Sequence, residues 1–137
     1  KLERLLLNRN QIASIPDCVC NMDSLTWLNL SDNQITSLPE NIGNLPKLKW
    51  LDLSGNQITS LPETISNLSL DKLRLSRNDI VSLPDSFAEI KRLGELDISL
   101  DKNLSKQDRK IIYKQLSKLA KRGCRMKNWN YKKNFLM

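Results

Sequence analysis

Leucine and other aliphatic residues recur along this chain with a period of about 23 residues. Four consecutive segments cover residues 2–24, 25–47, 48–69 and 70–92, and a fifth copy begins at Leu93 and then drifts by about two positions. The segments share the string L-x-x-L-x-L-x-x-N-x-I-x-x-L-P-x-x-I-x-x-L. Four matches at nearly constant spacing predict an array of similar structural units stacked on one another.

The first part of each repeat predicts a short β-strand followed by a turn. In the second repeat, Leu28 and Leu30 alternate with polar residues, as period two requires for one buried face of a strand. An asparagine then follows each strand, where its side-chain amide can hydrogen-bond backbone groups that the turn leaves unpaired. These asparagines form a predicted ladder along the stack: Asn10, Asn33, Asn56 and Asn78.

The second part of each repeat predicts a proline-led turn and a very short helix. The proline sets φ where the chain rounds the outer side of the stack. The last two apolar residues of each repeat lie three positions apart, which suits a 3₁₀ helix or a single helical turn. No repeat can bury its apolar face alone, so the repeats should form a curved α/β solenoid with a parallel sheet on the concave side. The prolines are Pro16, Pro39, Pro62 and Pro84.

The region 105–137 predicts a capping helix, a final strand and a basic tail after the repeat region 1–104, which holds about 4.5 repeats. Ser105 with Asp108 resembles a capping box, and Gly123 suits the position after a helix. Residues 124–129 alternate like a strand that ends near Trp129 as a lid. The apolar stripe of the helix consists of Ile112, Leu116 and Leu119, flanked by Ile111 and Ala120.

No comparable cap precedes the first repeat. The chain enters its first strand directly after Lys1. The exposed end of a solenoid otherwise places its last apolar layer in water. We therefore expect either further upstream sequence or a partner to cover Leu2, Leu5 and Leu7.

This repeat resembles that of the intracellular leucine-rich repeat family with LP-x-x-I convex segments. That pattern occurs in bacterial repeat proteins, plant intracellular Ras-group proteins, and animal polarity and Ras-pathway scaffolds. The resemblance covers residues 2 to about 104 by motif, and the cap resembles the bacterial type, with a C-x-[aliphatic]-x-x-[aromatic] strand at 124–129. It implies a non-enzymatic module, of the kind used as a scaffold in signal transduction, that binds a protein on its concave sheet.

Composition argues against most enzyme and metal chemistry. The 137 residues include 25 leucines and no histidine, which removes the commonest general base and metal ligand. Three cysteines without histidine are too few for a closed zinc site, and their odd number argues against a disulfide-built secreted domain. Phosphate-binding, zinc-protease and dinucleotide motifs are absent from the sequence. We expect no catalytic residues, metal or cofactor, and a reducing, cytoplasmic location.

The concave sheet carries the candidate binding residues. Trp27 and Trp50 occupy the third position of adjacent repeats, so they should stand side by side and face away from the leucine core. Large exposed aromatics are costly, and Trp and Arg are enriched in binding hot spots. The alternative is a cross-strand pair that only stiffens the sheet. The predicted partner-binding set is Trp27, Trp50, Arg4, Arg74, Asn29, Asp52, Lys72 and Arg77.

Charge is divided unevenly along the chain. Residues 1–100 carry a net charge of −3, whereas residues 101–137 carry +10. Four lysines step by four along the predicted helix: Lys106, Lys110, Lys114 and Lys118. A solvated face explains such a row most simply, because the aromatic platform of single-strand binders is missing. Nucleic acid and membrane are therefore not the expected partners.

The sequence thus favours a protein-interaction module whose partner binds around Trp27 and Trp50. Two alternatives stay open. The array could be the recognition or regulatory segment of a larger signalling protein, or the basic cap could dock electrostatically on nucleic acid or an anionic membrane.

Overall fold

A computed structural model describes residues 1–129; the end of the predicted basic tail, residues 130–137, lies outside the described part. Six parallel strands form one sheet whose spatial order equals their order in the chain. The predicted solenoid with a parallel sheet is confirmed. The strands are β1 (Arg4–Leu6), β2 (Trp27–Asn29), β3 (Trp50–Asp52), β4 (Ser69–Ile80), β5 (Arg92–Leu100) and β6 (Arg125–Lys127).

Short helices return the chain across the convex side, and each begins directly after the proline of its repeat. Those four prolines have φ between −70° and −61°, which is the angle that the ring itself imposes. The first helix is α1 (Asp17–Cys20), and the next three are 3₁₀ helices at Glu40–Asn44, Glu63–Asn67 and Asp85–Glu89. The predicted convex segments are therefore confirmed.

The core is a continuous stack of aliphatic layers. Leu28, Leu51, Leu73 and Leu96 stand in register in four neighbouring strands, and each is at most 1% exposed. The drift in the fifth repeat appears as a register shift between β4 and β5, after the pair of Leu75 with Ile98. Because the layers are aligned, each repeat buries the apolar face of its neighbour.

The predicted asparagine ladder is present. Asn56 donates from Nδ2 to the carbonyl oxygens of Leu30 and Leu53, both at 3.0 Å, and its Oδ1 accepts from the backbone N–H of Ile35 at 3.0 Å. Asn33 and Asn78 repeat this arrangement and are equally buried. These side chains satisfy backbone groups that would otherwise be buried without partners.

Helix α2 (Lys106–Lys121) closes the C-terminal end of the stack. The Asp108 backbone N–H donates to Ser105 Oγ at 3.1 Å, as the capping prediction requires. Ile112, Leu116 and Leu119 are buried as predicted.

The predicted flanks of that stripe are wrong. Ile111 is 50% exposed and Ala120 is also exposed, whereas Tyr113 is buried, with its ring 5.9 Å from that of Trp129. The buried face of α2 therefore includes Tyr113 and leaves out Ile111 and Ala120.

The final strand is shorter than predicted. β6 pairs with β5 through Leu96 and Met126, and it ends at Lys127, because the next residue, Asn128, has a φ of 59° outside the extended region. Gly123, with φ of 96°, occupies the predicted position after α2. At the other end of the stack Leu5 and Leu7 are half-buried and Leu2 is 50% exposed. In the described region, neither helix is long and apolar enough to cross a bilayer.

Candidate functional site

Four residues at the third position of successive repeats form a column across the concave sheet. Arg4, Trp27, Trp50 and Lys72 are paired in register along β1 to β4. The two indole rings lie 4.9 Å apart between centroids, tilted by 45°. The Arg4 guanidinium lies 4.8 Å from the Trp27 centroid, and the Lys72 ammonium lies 4.5 Å from the Trp50 centroid. We call these four residues the aromatic column.

The column faces outward, as the strand period predicts. Trp50 is 37% exposed and Trp27 is half-buried, although both belong to strands whose leucines are fully buried. Each indole has a cation over its ring on one side and the other indole as its neighbour.

A buried carboxylate continues the same row into the C-terminal repeat. Glu95 pairs with Lys72 at 2.9 Å and with Lys127 of β6 at 3.1 Å, and its side chain is only 5% exposed. The hydrogen bond from Lys72, together with that from Lys127, holds the pKa of Glu95 below its ordinary value, although burial acts in the opposite direction. Lys72 therefore connects the aromatic column to the capping strand.

The fifth position of each repeat forms a second, polar row. The Arg74 guanidinium lies between Asp52 and Asp97, at 3.6 Å and 3.8 Å from their carboxylate oxygens. Asn128 also donates to Asp97, which is buried. Two acidic residues at the same offset are thus bridged by a guanidinium.

Asn29 and Asp52 use one side-chain oxygen to stabilise the turn that follows their strands. Asn29 Oδ1 accepts from the backbone N–H and the hydroxyl of Ser31, at 3.0 Å and 2.8 Å. Asp52 Oδ1 accepts likewise from Ser54, at 3.0 Å and 2.6 Å. The other polar atom of each side chain is not used in the turn: Asn29 Nδ2 donates to no described residue, and Asp52 Oδ2 lies beside Arg74.

The remaining predicted residue, Arg77, lies in a third row at the turns. It pairs with Asp32 at 3.0 Å, and its side chain is 67% exposed. The ion pair crosses above Gly55, where an added Cβ would meet both partners.

Six of the eight predicted residues line one shallow depression on the concave sheet: Trp27, Asn29, Trp50, Asp52, Lys72 and Arg74. Its volume is about 80 Å³, well below the roughly 300–1,000 Å³ of pockets that enclose small ligands. Arg4 lies on the far side of Trp27, and Arg77 lies outside the depression. The shape suits contact with a broad surface rather than enclosure of a small molecule.

Sequence reasoning missed three residues that hold this surface together: Glu95, Asp97 and Lys127. Glu95 and Asp97 occupy the third and fifth positions of the fifth repeat, and those positions alone could have placed them on the concave sheet. Their burial depends on β6 lying beside β5, which the periodicity does not reveal. Residues 1–129 contain no group of three or more His, Cys, Asp or Glu side chains that could hold a metal ion.

Comparison with known proteins now adds to this geometry. A family model described as leucine-rich repeat region matches residues 2–134. The chain belongs to the leucine-rich repeat family. No curated protein matches it. This family suggests a protein-interaction module, and its members are typically non-enzymatic scaffolds.

Two solved structures show the same fold. The leucine-rich repeat protein LIC12759 of Leptospira interrogans is 34% identical, with a TM-score of 0.73 over 89% of this leucine-rich repeat chain and 30% of its own. A plant ice-binding protein is 25% identical, with a TM-score of 0.57 over 72% of this chain and 41% of its own. The chain thus spans less than half the length of either structure.

Proposed function

We propose that this leucine-rich repeat chain is a non-enzymatic module that binds a protein partner on its concave sheet around Trp27 and Trp50. The observation that supports the proposal is the aromatic column. Trp and Arg are the residue types most enriched among binding hot spots, and here both occur in one exposed row.

The column is organised before any partner arrives. The rings hold each other, and Arg4 and Lys72 flank them, so few rotamers should be lost on binding. Lys72 is itself held by the buried Glu95. Rigid aromatic anchors give more net affinity per contact than mobile ones because less side-chain entropy is lost.

The surrounding polar groups would select the partner. Asn29 offers an amide donor, and Asp52, Arg74 and Arg77 form ion pairs that remain partly accessible. A partner that contacts these polar groups must present acceptors and donors in a matching order. Such matching contributes more to specificity than to affinity. We further propose an intracellular, reducing location, since Cys18, Cys20 and Cys124 are free thiols.

The test is a pull-down from cells of the source organism with three baits. These are the wild type, Trp27→Ala/Trp50→Ala, and Lys110→Gln/Lys114→Gln as a control on the cap helix. The tryptophan variant should melt close to the wild type and lose its partner by at least about 30-fold, which corresponds to the usual hot-spot threshold of about 2 kcal/mol. The lysine variant should keep the partner.

Two results would contradict the proposal. If the lysine variant loses the partner while the tryptophan variant keeps it, binding occurs at the basic cap. If the tryptophan variant unfolds, the paired indoles serve the stability of the sheet.

A further inference from the structure

The solvent-facing side of α2 carries lysine and no acidic residue. At 100° per residue, five lysines fall within about 120° of the helix circumference and span about 22 Å of its length. All five are exposed, and none takes part in an ion pair within residues 1–129. Asp108 lies outside this arc and is engaged with Ser105. We call these residues the lysine face: Lys106, Lys110, Lys114, Lys118 and Lys121.

Helix stability accounts for only part of this arrangement. Lys118 and Lys121 lie in the last turn of α2, where the helix dipole favours positive charge, whereas Lys106 lies in the first turn, where positive charge is disfavoured. The successive i,i+4 lysine pairs also repel one another. Acidic residues at one or two of these positions would stabilise the helix, so the unbroken positive face is better explained by what it contacts.

Apolar residues accompany the positive charge. Ile111 lies at the rim of the lysine face and is 50% exposed. The sequence of residues 130–137 contains no acidic residue and adds Lys132 and Lys133. It also contains four large apolar residues: Tyr131, Phe135, Leu136 and Met137. Lysine combined with large apolar residues in the sequence is the composition expected for attachment to a lipid surface by two additive signals.

The same features argue against nucleic acid. The exposed side of α2 carries no aromatic residue on which unpaired bases could stack. Its cations are lysines rather than the bidentate arginines that read base edges.

We propose that the lysine face of α2 docks this protein on an anionic lipid bilayer. Each lysine close to such a surface strengthens binding by about five-fold. The apolar side of α2 is occupied by the core, so the helix would lie on the headgroups without inserting. α2 packs against the convex side, where Gln115 donates to the Pro84 carbonyl at 2.9 Å. Docking there uses none of the residues of the aromatic column, so the concave sheet stays available.

The test is co-sedimentation of the full chain with vesicles of phosphatidylcholine alone or with added phosphatidylserine. The test variant is Lys110→Gln/Lys114→Gln/Lys118→Gln. The matched control is Lys1→Gln/Lys47→Gln/Lys91→Gln, which removes the same charge from exposed positions elsewhere. We expect binding only to the phosphatidylserine vesicles, weakening with added salt, a loss of about 100-fold in the test variant and less than five-fold in the control. Thermal melting should show the test variant at least as stable as the wild type, since repulsive pairs are removed.

Several results would overturn the proposal. Absence of binding to phosphatidylserine vesicles would overturn it. Equal losses of vesicle affinity in the test variant and the control would also overturn it, because they would mean that only the net charge of the protein matters. A fluorescent single-stranded oligonucleotide provides the remaining arm. If the wild type binds the oligonucleotide through the same lysines and does not bind the vesicles, the ligand of this face is nucleic acid.

Discussion

Asp32 and Arg77, two repeats apart, form a 3.0 Å ion pair that crosses directly above Gly55. The four residues at this repeat position all have positive φ: 59° at Arg9, 56° at Asp32, 69° at Gly55 and 55° at Arg77. Three of the four carry side chains, so the left-handed backbone alone does not require glycine here. Glycine leaves space for the ion pair, because a Cβ at residue 55 would meet the Asp32 carboxylate and the Arg77 guanidinium and would have to displace them.

Gly55→Ala should therefore destabilise the protein through both backbone strain and crowding. We expect a loss of about 1–2 kcal/mol in the free energy of unfolding from the left-handed conformation, and a further loss of about 0–1 kcal/mol from the displaced surface ion pair. Urea denaturation measures both. In an Asp32→Ala background the crowding is relieved, so the same substitution should cost less. An equal cost in the two backgrounds would contradict the crowding.

Asn→Ala substitutions at buried and exposed positions of the asparagine ladder should differ strongly in their effect on the free energy of unfolding. Asn56→Ala leaves the buried Ile35 N–H without its partner, at about 1–3 kcal/mol for an unsatisfied group. It also removes one of the two asparagine donors from each of the Leu30 and Leu53 carbonyls, which keep Asn33 and Asn78 respectively. We expect a total loss of at least about 2 kcal/mol in the free energy of unfolding, from one unsatisfied N–H and two lost hydrogen bonds. Asn10→Ala is the control, because Asn10 is exposed and water can replace it; its cost should stay below about 1 kcal/mol. Similar losses for both variants would mean that burial does not determine the role of the ladder.

Glu95 should make folding stability depend on pH. Its pKa is lowered in the folded protein, chiefly by Lys72, so its stabilising contribution is present above the unfolded pKa of about 4.3 and is lost as pH falls through the folded pKa. Glu95→Gln should therefore be less stable than the wild type at neutral pH, and the gap should shrink under acid. Chemical denaturation from pH 7 to pH 3 measures this. Glu89→Gln, on the exposed surface, should follow the wild-type pH profile; a constant gap for Glu95→Gln would argue against the ion pairs.

The three cysteines should differ sharply in reactivity. Cys18 is exposed, whereas Cys20 and Cys124 are buried. Burial raises the pKa of Cys124 to about 11, which leaves little thiolate to react at neutral pH. A maleimide or disulfide reagent should label one thiol rapidly in the native protein and three in the denatured, unreduced protein. Only one thiol in the denatured protein would indicate a disulfide.

Much of this molecule could be predicted from its sequence because the repeat is local. Each leucine, proline and asparagine position defines a side of its own repeat, so the period alone placed Leu28 in the core and Trp50 outside. The same logic located α2, since an apolar stripe with a serine before it and a glycine after it specifies a helix with little reference to the rest of the chain.

The tertiary structure decided the contacts between repeats and cap. Glu95 and Asp97 occupy ordinary concave positions, and both are buried. Their partners, Lys127 at the end of β6 and Asn128 directly after it, come from beyond helix α2 in the sequence. Likewise, the ion pair of Arg77 with Asp32 passes over the glycine between them. Tyr113 rather than Ile111 is buried, with its ring 5.9 Å from that of Trp129. A period specifies which way a side chain faces. The charged group or ring that this side chain contacts depends on side-chain conformations in neighbouring strands. Those conformations are determined only when the repeats and the cap pack together.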